Sequence, residues 1–163
     1  MKRFWHRHQP PMRVHSALLA GAGAALALAA LGLLGQITGN LWLIAPFGAS
    51  AVLIFAAPTA VLSQPANLIG GHLTGALIAL ALVALAPGHA GVAAAAAGLT
   101  ITAMVLMRIV HPPAGATALF AYLTSADWTF LFLPVLAGSI LLVAFAWGWQ
   151  TLIGGTYPLP PAE

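Results

Sequence analysis

The sequence contains no cysteine and almost no acidic side chains, and each shortage excludes a class of function. Without cysteine the chain has no disulfides, no thiol catalysis and no cysteine-bound zinc. Asp127 and Glu163 are the only two acids among 163 residues, so paired carboxylates are not available for general acid–base catalysis. We therefore expect neither an enzyme nor a resident cofactor or metal ion.

Charged residues of every kind are scarce. They form 4% of the chain, whereas hydrophobic residues form 61% and the mean hydropathy is +1.00. A soluble domain carries about 25% charged residues, so this chain cannot build a water-facing surface. At about 20 residues per membrane-spanning helix, its length suits about six segments with short loops. The composition predicts an all-α, polytopic helical bundle in a lipid bilayer.

The few basic residues are concentrated at the start of the chain. Four of the five cations precede the first apolar stretch, namely Lys2, Arg3, Arg7 and Arg13. Because basic segments stay on the cytoplasmic side, residues 1–15 are predicted to be a cytoplasmic tail of a protein in a bacterial inner membrane. Topology explains these charges without a nucleic-acid partner, and none is expected. A cleaved signal peptide is the alternative interpretation of the first apolar stretch.

Proline, glycine and polar residues divide the rest of the chain into six predicted segments. The second and fifth are short and interrupted. A Pro-rich tail follows at 154–163, and residues 157–163 of it are predicted to lack structure. The first two segments are 16–36 and 41–57. The third follows the polar patch 58–67 and ends near residue 86. The last three are 91–110, 114–124 and 130–153.

A six-residue motif occurs twice, 67 residues apart. PFGASA at 46–51 corresponds to PAGATA at 113–118, and Gly71 aligns with Gly138 at the same offset. Each copy lies in the short middle segment of three. Residues 16–86 and 90–153 are therefore predicted to be two repeats, and the odd number of segments in each makes the second inverted in the membrane, as in many transporters.

The motif also predicts a binding property. A Pro followed two residues later by Gly begins a helix whose first N–H groups lipid cannot satisfy. A helix N-terminus carries about half a positive charge, which suits an anion. The two helix starts are predicted to face one another near mid-membrane and to line a path for a small anion. The alternative is that the small residues only allow close helix packing.

Three blocks of sequence resemble the HPP family of integral membrane proteins. They are HPPAGATAL at 111–119, PFGASAVL at 46–53 and QPANLIGGH at 64–72. The resemblance implies a small polytopic membrane fold and, since plastid and cyanobacterial relatives are associated with nitrite transport, nitrite as the substrate. The sequence departs from the family at Ala66, where a basic residue is common, and this would weaken anion binding.

Three polar residues of the predicted path have competing explanations. Arg108 either attracts the anion or reaches the lipid headgroups. His111 either transfers protons or caps and packs the helix end, and His72 either lines the path or bonds to a neighbouring helix. The complete predicted path comprises Pro46, Gly48, Ser50, Asn67, Gly71, His72, Arg108, His111, Pro112, Pro113, Gly115 and Thr117.

The sequence therefore predicts a transporter or channel-like protein for a small, nitrite-like anion, either passive or proton-coupled. The alternative function is a non-transporting sensor or assembly module, whose glycines serve only to pack helices. A homo-oligomer is left open by the sequence.

Overall fold

The computed structural model describes residues 2–160, and every regular element within them is helical. This confirms the predicted all-α fold. A π-helical segment, Val52–Ala56, continues the second helix, and another, Leu131–Leu136, leads into the sixth. Short 3₁₀ turns lie at Lys2–Trp5 and Val61–Ser63. The α-helices are α1 Val14–Thr38, α2 Ala45–Ala51, α3 Pro65–Leu85, α4 Ala90–Met107, α5 Pro113–Leu123 and α6 Ala137–Leu152.

Four helical stretches within residues 2–160 are long and apolar enough to cross a membrane. They are α1, α3, α4 and the continuous stretch Leu131–Leu152. α2 with its extension, Ala45–Ala56, and α5, Pro113–Leu123, are shorter. At 1.5 Å per residue each covers roughly 17 Å, compared with a hydrocarbon core of about 30 Å. The protein is thus a helical membrane protein with four candidate spans and two short apolar helices.

Proline and left-handed residues fix the helix boundaries near the predicted positions. Pro65 and Pro113 occupy the first positions of α3 and α5, and Pro46 the second position of α2, where the missing N–H costs nothing. The residues directly after α1 and α4 are Gly39 and Arg108, and both are left-handed, with φ of 69° and 61°. A left-handed residue closes a helix by returning its N–H to the last carbonyls.

The helices correspond at the same 67-residue offset as the motif. Residues 45–56, which form α2 and its extension, shift onto 112–123, where α5 occupies Pro113–Leu123. α3, Pro65–Leu85, shifts onto 132–152, and the last helical stretch is Leu131–Leu152. The repeated sequence therefore lies within repeated helical structure.

One packing contact also recurs at this offset. A Cβ built on Gly71 would lie 3.3 Å from the Cβ of Ala114, and one built on Gly138 would lie 2.5 Å from Cε2 of Phe47. Gly138 is Gly71 shifted by 67, and Ala114 is Phe47 shifted by 67. The third helix of each repeat thus packs its glycine against the short helix of the other repeat.

The linkers α2–α3 and α4–α5 meet at one end of the bundle. There the Asn67 amide donates a hydrogen bond to the Val110 carbonyl over 2.9 Å. His15, near the start of α1, lines a cavity at this end together with Gln150, near the end of α6. We call this the N-terminal end.

The turn between α3 and α4 meets the end of α5 at the opposite end of the bundle. The Tyr122 hydroxyl accepts a hydrogen bond from the His89 N–H over 3.1 Å and donates one to the Ala86 carbonyl. α3, α4 and α5 therefore run between the same two ends.

The prediction of an unstructured C-terminal tail is wrong for the part nearest α6. Tyr157 is 4% exposed, and its hydroxyl donates to the Ser63 carbonyl over 3.1 Å. The Leu159 N–H donates to Oε1 of Gln64 over 2.8 Å. Residues 154–160 contain no helix because of their prolines, but one aromatic ring and two hydrogen bonds hold them against the α2–α3 linker; residues 161–163 of the predicted tail lie outside the described residues.

Candidate functional site

Four polar side chains that the sequence separates by up to 67 residues meet in the interior. Ser50 comes from α2, His72 from α3, His111 from the α4–α5 linker and Thr117 from α5. Each is 0% exposed. We call these four residues the hydroxyl–imidazole cluster.

His72 connects the two copies of the repeated motif. Its Nε2 lies 2.8 Å from Oγ of Ser50, and its Nδ1 lies 2.7 Å from Oγ1 of Thr117. Ser50 and Thr117 occupy the same position in the two motifs. A single imidazole therefore bonds to the equivalent hydroxyl of each repeat.

His111 extends the cluster toward the N-terminal end. Its Nε2 lies 2.9 Å from Oγ of Ser50, and its Nδ1 lies 2.8 Å from the Leu62 carbonyl oxygen. The His72 and His111 rings meet edge to face with centroids 5.0 Å apart. Four hydrogen bonds thus link Thr117, through both histidines, to the α2–α3 linker.

Two glycines of α3 allow this close approach. A Cβ on Gly71 would lie 2.8 Å from Cβ of His111, and one on Gly75 would lie 2.5 Å from the Ala114 carbonyl oxygen. Real Cβ atoms are not found at such distances. α3 and α5 therefore contact one another almost through their backbones, as small residues permit in membrane bundles, and this brings His72 to Thr117.

At the helix starts of the two motifs, several backbone N–H groups already donate hydrogen bonds to carbonyls just before or within the first turn. The Phe47 N–H donates to the Ile44 carbonyl over 3.0 Å, and the Ala114 N–H donates to the His111 carbonyl over 2.9 Å. The Gly115 N–H donates to the Pro112 carbonyl over 3.2 Å. The groups that meet between the two motifs are the Ser50 and Thr117 hydroxyls, one turn further along each short helix, and the imidazoles of His72 on α3 and His111 in the α4–α5 linker.

The other predicted path residues lie around the cluster or away from it. Gly71 packs beside it, Pro46 and Pro113 are buried, and Gly48 and Gly115 are half-buried with no atom within 4 Å of a built Cβ. Asn67, in the first turn of α3, bonds to the α4–α5 linker at the N-terminal end.

Two predicted path residues are exposed to the surroundings. Pro112 is exposed, and Arg108 is exposed at the end of α4, three residues before His111. The structure therefore brings four of the twelve predicted residues into one hydrogen-bonded cluster and leaves the predicted cation outside it.

Sequence reasoning missed the backbone partner of the cluster. The Leu62 carbonyl accepts a hydrogen bond from His111, but a carbonyl in a linker leaves no side-chain pattern. Within residues 2–160, no group of three or more His, Asp or Glu side chains is placed to hold a metal ion. The cluster is described by its hydrogen bonds alone.

A cavity at the opposite end was also missed. It has a volume of about 320 Å³ and lies between the α1–α2 linker and the α5–α6 linker. The only signal in the sequence was Asp127, whose carboxylate accepts hydrogen bonds from the side chain and N–H of Thr129. These bonds lower the pKa of Asp127. The polar residues that line this cavity are Asn40, Thr124, Asp127 and Thr129.

Comparison with known proteins agrees with the motif resemblance. The family model described as "HPP, transmembrane region" matches residues 9–158. Two relatives named as transmembrane proteins of Dictyostelium discoideum are each 38% identical, over 115 and 112 residues. The alignments cover 66% and 64% of this chain but 37% and 39% of the relatives, so the chain spans well under half of their length. No solved structure matches the chain significantly. With most of its length matched by the family model, this chain belongs to the HPP family of transmembrane proteins.

Proposed function

We propose that this chain is a membrane transport protein that moves a small anion between its two three-segment repeats. The observation that carries the proposal is the bridge by which His72 bonds to Ser50 and Thr117, the equivalent hydroxyls of the repeats. Corresponding interrupted helices form the substrate site in many repeat-built transporters. Buried polar side chains at membrane depth are expensive and usually functional.

The proposed topology has six segments, with the second repeat inverted relative to the first. Support comes from the contacts that place successive linkers at alternate ends of the bundle, and from the glycine contacts that recur at an offset of 67 residues. In this topology α2 and α5 cross with the help of their linkers. The basic N-terminal tail puts the N-terminal end in the cytoplasm.

An anion fits the chemistry of this region better than a cation. The cluster contains no carboxylate, and its hydroxyl and imidazole groups can replace water as hydrogen-bond donors around an anion. Arg108 is exposed three residues before His111, where it would raise the local anion concentration at the cytoplasmic mouth. Nitrite is the substrate suggested by the family resemblance.

The structure represents a closed state in this proposal, because all four cluster residues are 0% exposed. Transport requires a second arrangement in which α2 or α5 moves relative to α3. An entering anion would then take over hydrogen bonds that the cluster now makes with itself. The cavity of about 320 Å³ at the opposite end is the proposed outer vestibule.

A second function, a non-transporting sensor or assembly module, has its own support. The direct contacts of Gly71, Gly75 and Gly138 with neighbouring helices would serve a rigid scaffold equally well. Ion flux distinguishes the two functions.

The test is nitrite entry into proteoliposomes at alkaline pH, where neutral nitrous acid is scarce. Wild-type protein should carry nitrite, and Arg108→Ala should slow entry several-fold at low salt and less at high salt, since salt screens exposed charges. Arg13→Ala is the matched control, because Arg13 is also exposed but precedes α1. Vesicles that contain folded protein and yet stay tight to nitrite, nitrate, formate and chloride would contradict transport.

A further inference from the structure

The hydrogen bonds of the hydroxyl–imidazole cluster have only one consistent direction. A buried charge requires a partner, and Asp127, the only acid in residues 2–160, is exposed in the α5–α6 linker. Both imidazoles are therefore neutral, with one donor nitrogen and one acceptor nitrogen each.

Within residues 2–160, few titratable side chains outside the cluster lie on the elements around the two rings. Tyr157 of the C-terminal tail donates to the Ser63 carbonyl, next to Leu62, and His15 of α1 is exposed. α2 with its extension, α4 and the stretch Leu131–Leu152 contain no titratable side chain, and α3 contains only His72. α5 contains Tyr122, whose hydroxyl bonds to Ala86 at the opposite end. Arg108 in the α4–α5 linker is exposed.

The Leu62 carbonyl sets the direction at one end. A carbonyl oxygen only accepts, so Nδ1 of His111 carries the proton and donates over 2.8 Å. The Nε2 of His111 is then an acceptor, and the Ser50 hydroxyl donates to it over 2.9 Å in preference to the Pro46 carbonyl at 3.3 Å.

The remaining two bonds follow from the first two. With its single proton committed to His111, Ser50 can only accept from His72, so Nε2 of His72 carries the proton. Nδ1 of His72 is then an acceptor, and the Thr117 hydroxyl donates to it over 2.7 Å. Every donor in the chain points from Thr117 toward Leu62.

The chain lies between the cavity at the opposite end and the linkers at the N-terminal end. Phe120 and Thr124, one and two turns beyond Thr117 on α5, line the cavity at the opposite end. His111 lies in the α4–α5 linker, which bonds to the α2–α3 linker at the N-terminal end. Thr117 and His111 are both 0% exposed, so water must pass Phe120 to reach Thr117 and pass the linkers to reach His111 before the chain can exchange protons.

We infer that Thr117, His72, Ser50 and His111 form a proton relay, an activity that does not depend on an anion being the transported solute. A proton from water binds Oγ1 of Thr117, whose own proton passes to Nδ1 of His72. The Nε2 proton of His72 passes to Ser50, and the Ser50 proton passes to Nε2 of His111. His111 then releases its Nδ1 proton to water, so one proton enters, one leaves and no electrons are transferred.

The Leu62 carbonyl closes the exit of this relay. A carbonyl accepts a hydrogen bond but does not take the proton, so release requires the His111–Leu62 bond to be replaced by water. The relay therefore conducts only when the α2–α3 linker moves away from His111. After one passage every donor is reversed, and reorientation of the hydroxyls and rings resets the chain.

Proton uptake into liposomes tests the relay. The full chain is reconstituted without nitrite, and uptake is driven by a potassium gradient with valinomycin and followed with an internal pH dye. Ser50→Ala removes the central link and should lower the rate at least tenfold. Ser139→Ala is the matched control, because Ser139 is also buried but bonds only to Val135 in its own helix, and it should conduct like wild type.

Two results would overturn the inference. One is wild-type uptake no faster than that of protein-free vesicles, and the other is Ser50→Ala uptake equal to wild type. If Ser50→Ala fails to fold, Thr117→Val replaces it, with Thr100→Val as control, since Thr100 is buried and bonds only to Ala96. If the wild-type protein takes up protons but carries no nitrite, the anion proposal alone is rejected and the relay stands.

Nitrogen-15 NMR checks the direction of the chain in the unaltered protein. The expected tautomers are Nε2–H for His72 and Nδ1–H for His111, and the His111→Gln variant assigns the signals. The opposite tautomer on either ring would reject the deduced direction, and with it the relay as described.

Discussion

Gly75 contacts the backbone of α5 at Ala114, with a built Cβ only 2.5 Å from the Ala114 carbonyl oxygen. No side chain can rearrange to relieve that contact, because the opposing atom is backbone. The approach of α3 to α5 at this point holds His72 within hydrogen-bond distance of Thr117. Gly75 therefore sets the geometry of the candidate site.

Gly75→Ala should destabilise the protein, because the added methyl forces α3 and α5 apart. Overpacking of this kind costs about 1–3 kcal/mol. Thermal unfolding in detergent, followed by circular dichroism, measures the change. Gly98→Ala is the control, since a Cβ at Gly98 has no atom within 4 Å and alanine favours a helix by up to about 1 kcal/mol. Equal stability of the two variants would show that α3 and α5 are not in backbone contact.

Single cysteines should reveal the alternating ends of the bundle. The chain has no native cysteine, so a substituted one is the only target for a membrane-impermeant maleimide. We expect Asn40→Cys, His89→Cys and Asp127→Cys to label from one face and Thr59→Cys from the other, and all four positions are exposed. Labelling of residues 59 and 89 from the same face would exclude the six-segment topology.

Thr129→Val should raise the pKa of Asp127 toward its ordinary value. The hydrogen bonds from Thr129 favour the ionised carboxylate and lower that pKa. The stabilisation they contribute is present above the ordinary pKa and is lost as the pH falls through the lowered one. Asp127 is the only aspartate, so carbon-13 labelling of aspartate gives one carboxyl signal to titrate.

Thr124→Val is the control for this titration. Thr124 lines the same cavity but bonds only to carbonyls of α5. An equal pKa of Asp127 in the Thr129 variant and the wild type would mean that the Thr129 hydroxyl does not bond to the carboxylate.

Tyr157 should ionise well above the pH at which a free tyrosine does. Burial raises its pKa to about 12, whereas an unfolded tyrosine ionises near 10. The docked tail is thus fully stabilised below about pH 10, and this stabilisation is lost as the pH rises through about 12. Ultraviolet absorbance of the Tyr122→Phe variant, in which Tyr157 is the only remaining tyrosine, follows the ionisation. A midpoint near 10 in the folded protein would show that the tail is undocked.

Tyr157→Phe tests the same contact at neutral pH. It removes the hydrogen bond to the Ser63 carbonyl and should lower the free energy of unfolding by about 1 kcal/mol. Thermal unfolding measures this change. No loss of stability would indicate that the ring alone holds the tail in place.

Much of the fold was predictable because membrane helices depend on local composition. The long apolar stretches and the proline break at 111–113 placed the boundaries within a few residues, although α3 begins at Pro65, inside the polar patch predicted at 58–67. The repeat was visible as PFGASA and PAGATA. The docked tail was not predicted, because proline correctly indicated the absence of a helix but gave no sign that Tyr157 contacts Ser63.

The site was predictable as a set of residues but not as an arrangement. Ser50, His72, His111 and Thr117 were all candidates, yet sequence reasoning emphasised helix-start amides, and several of these bond within their own first turns. Arg108 is exposed at the end of α4, outside the cluster, and its part in the path stays a prediction. Hydrogen-bond partners depend on helix rotation and approach, which spacing along one chain does not fix.

The sequence by itself determined a helical membrane protein with a duplicated motif, because apolar runs and proline breaks act locally and the chain has too little charge to face water. The tertiary structure alone decided that one imidazole joins the two copies of the motif and that His111 bonds to the Leu62 carbonyl. These contacts required α3 and α5 to approach within backbone distance at Gly75. That approach is a property of packing between residues far apart in the chain.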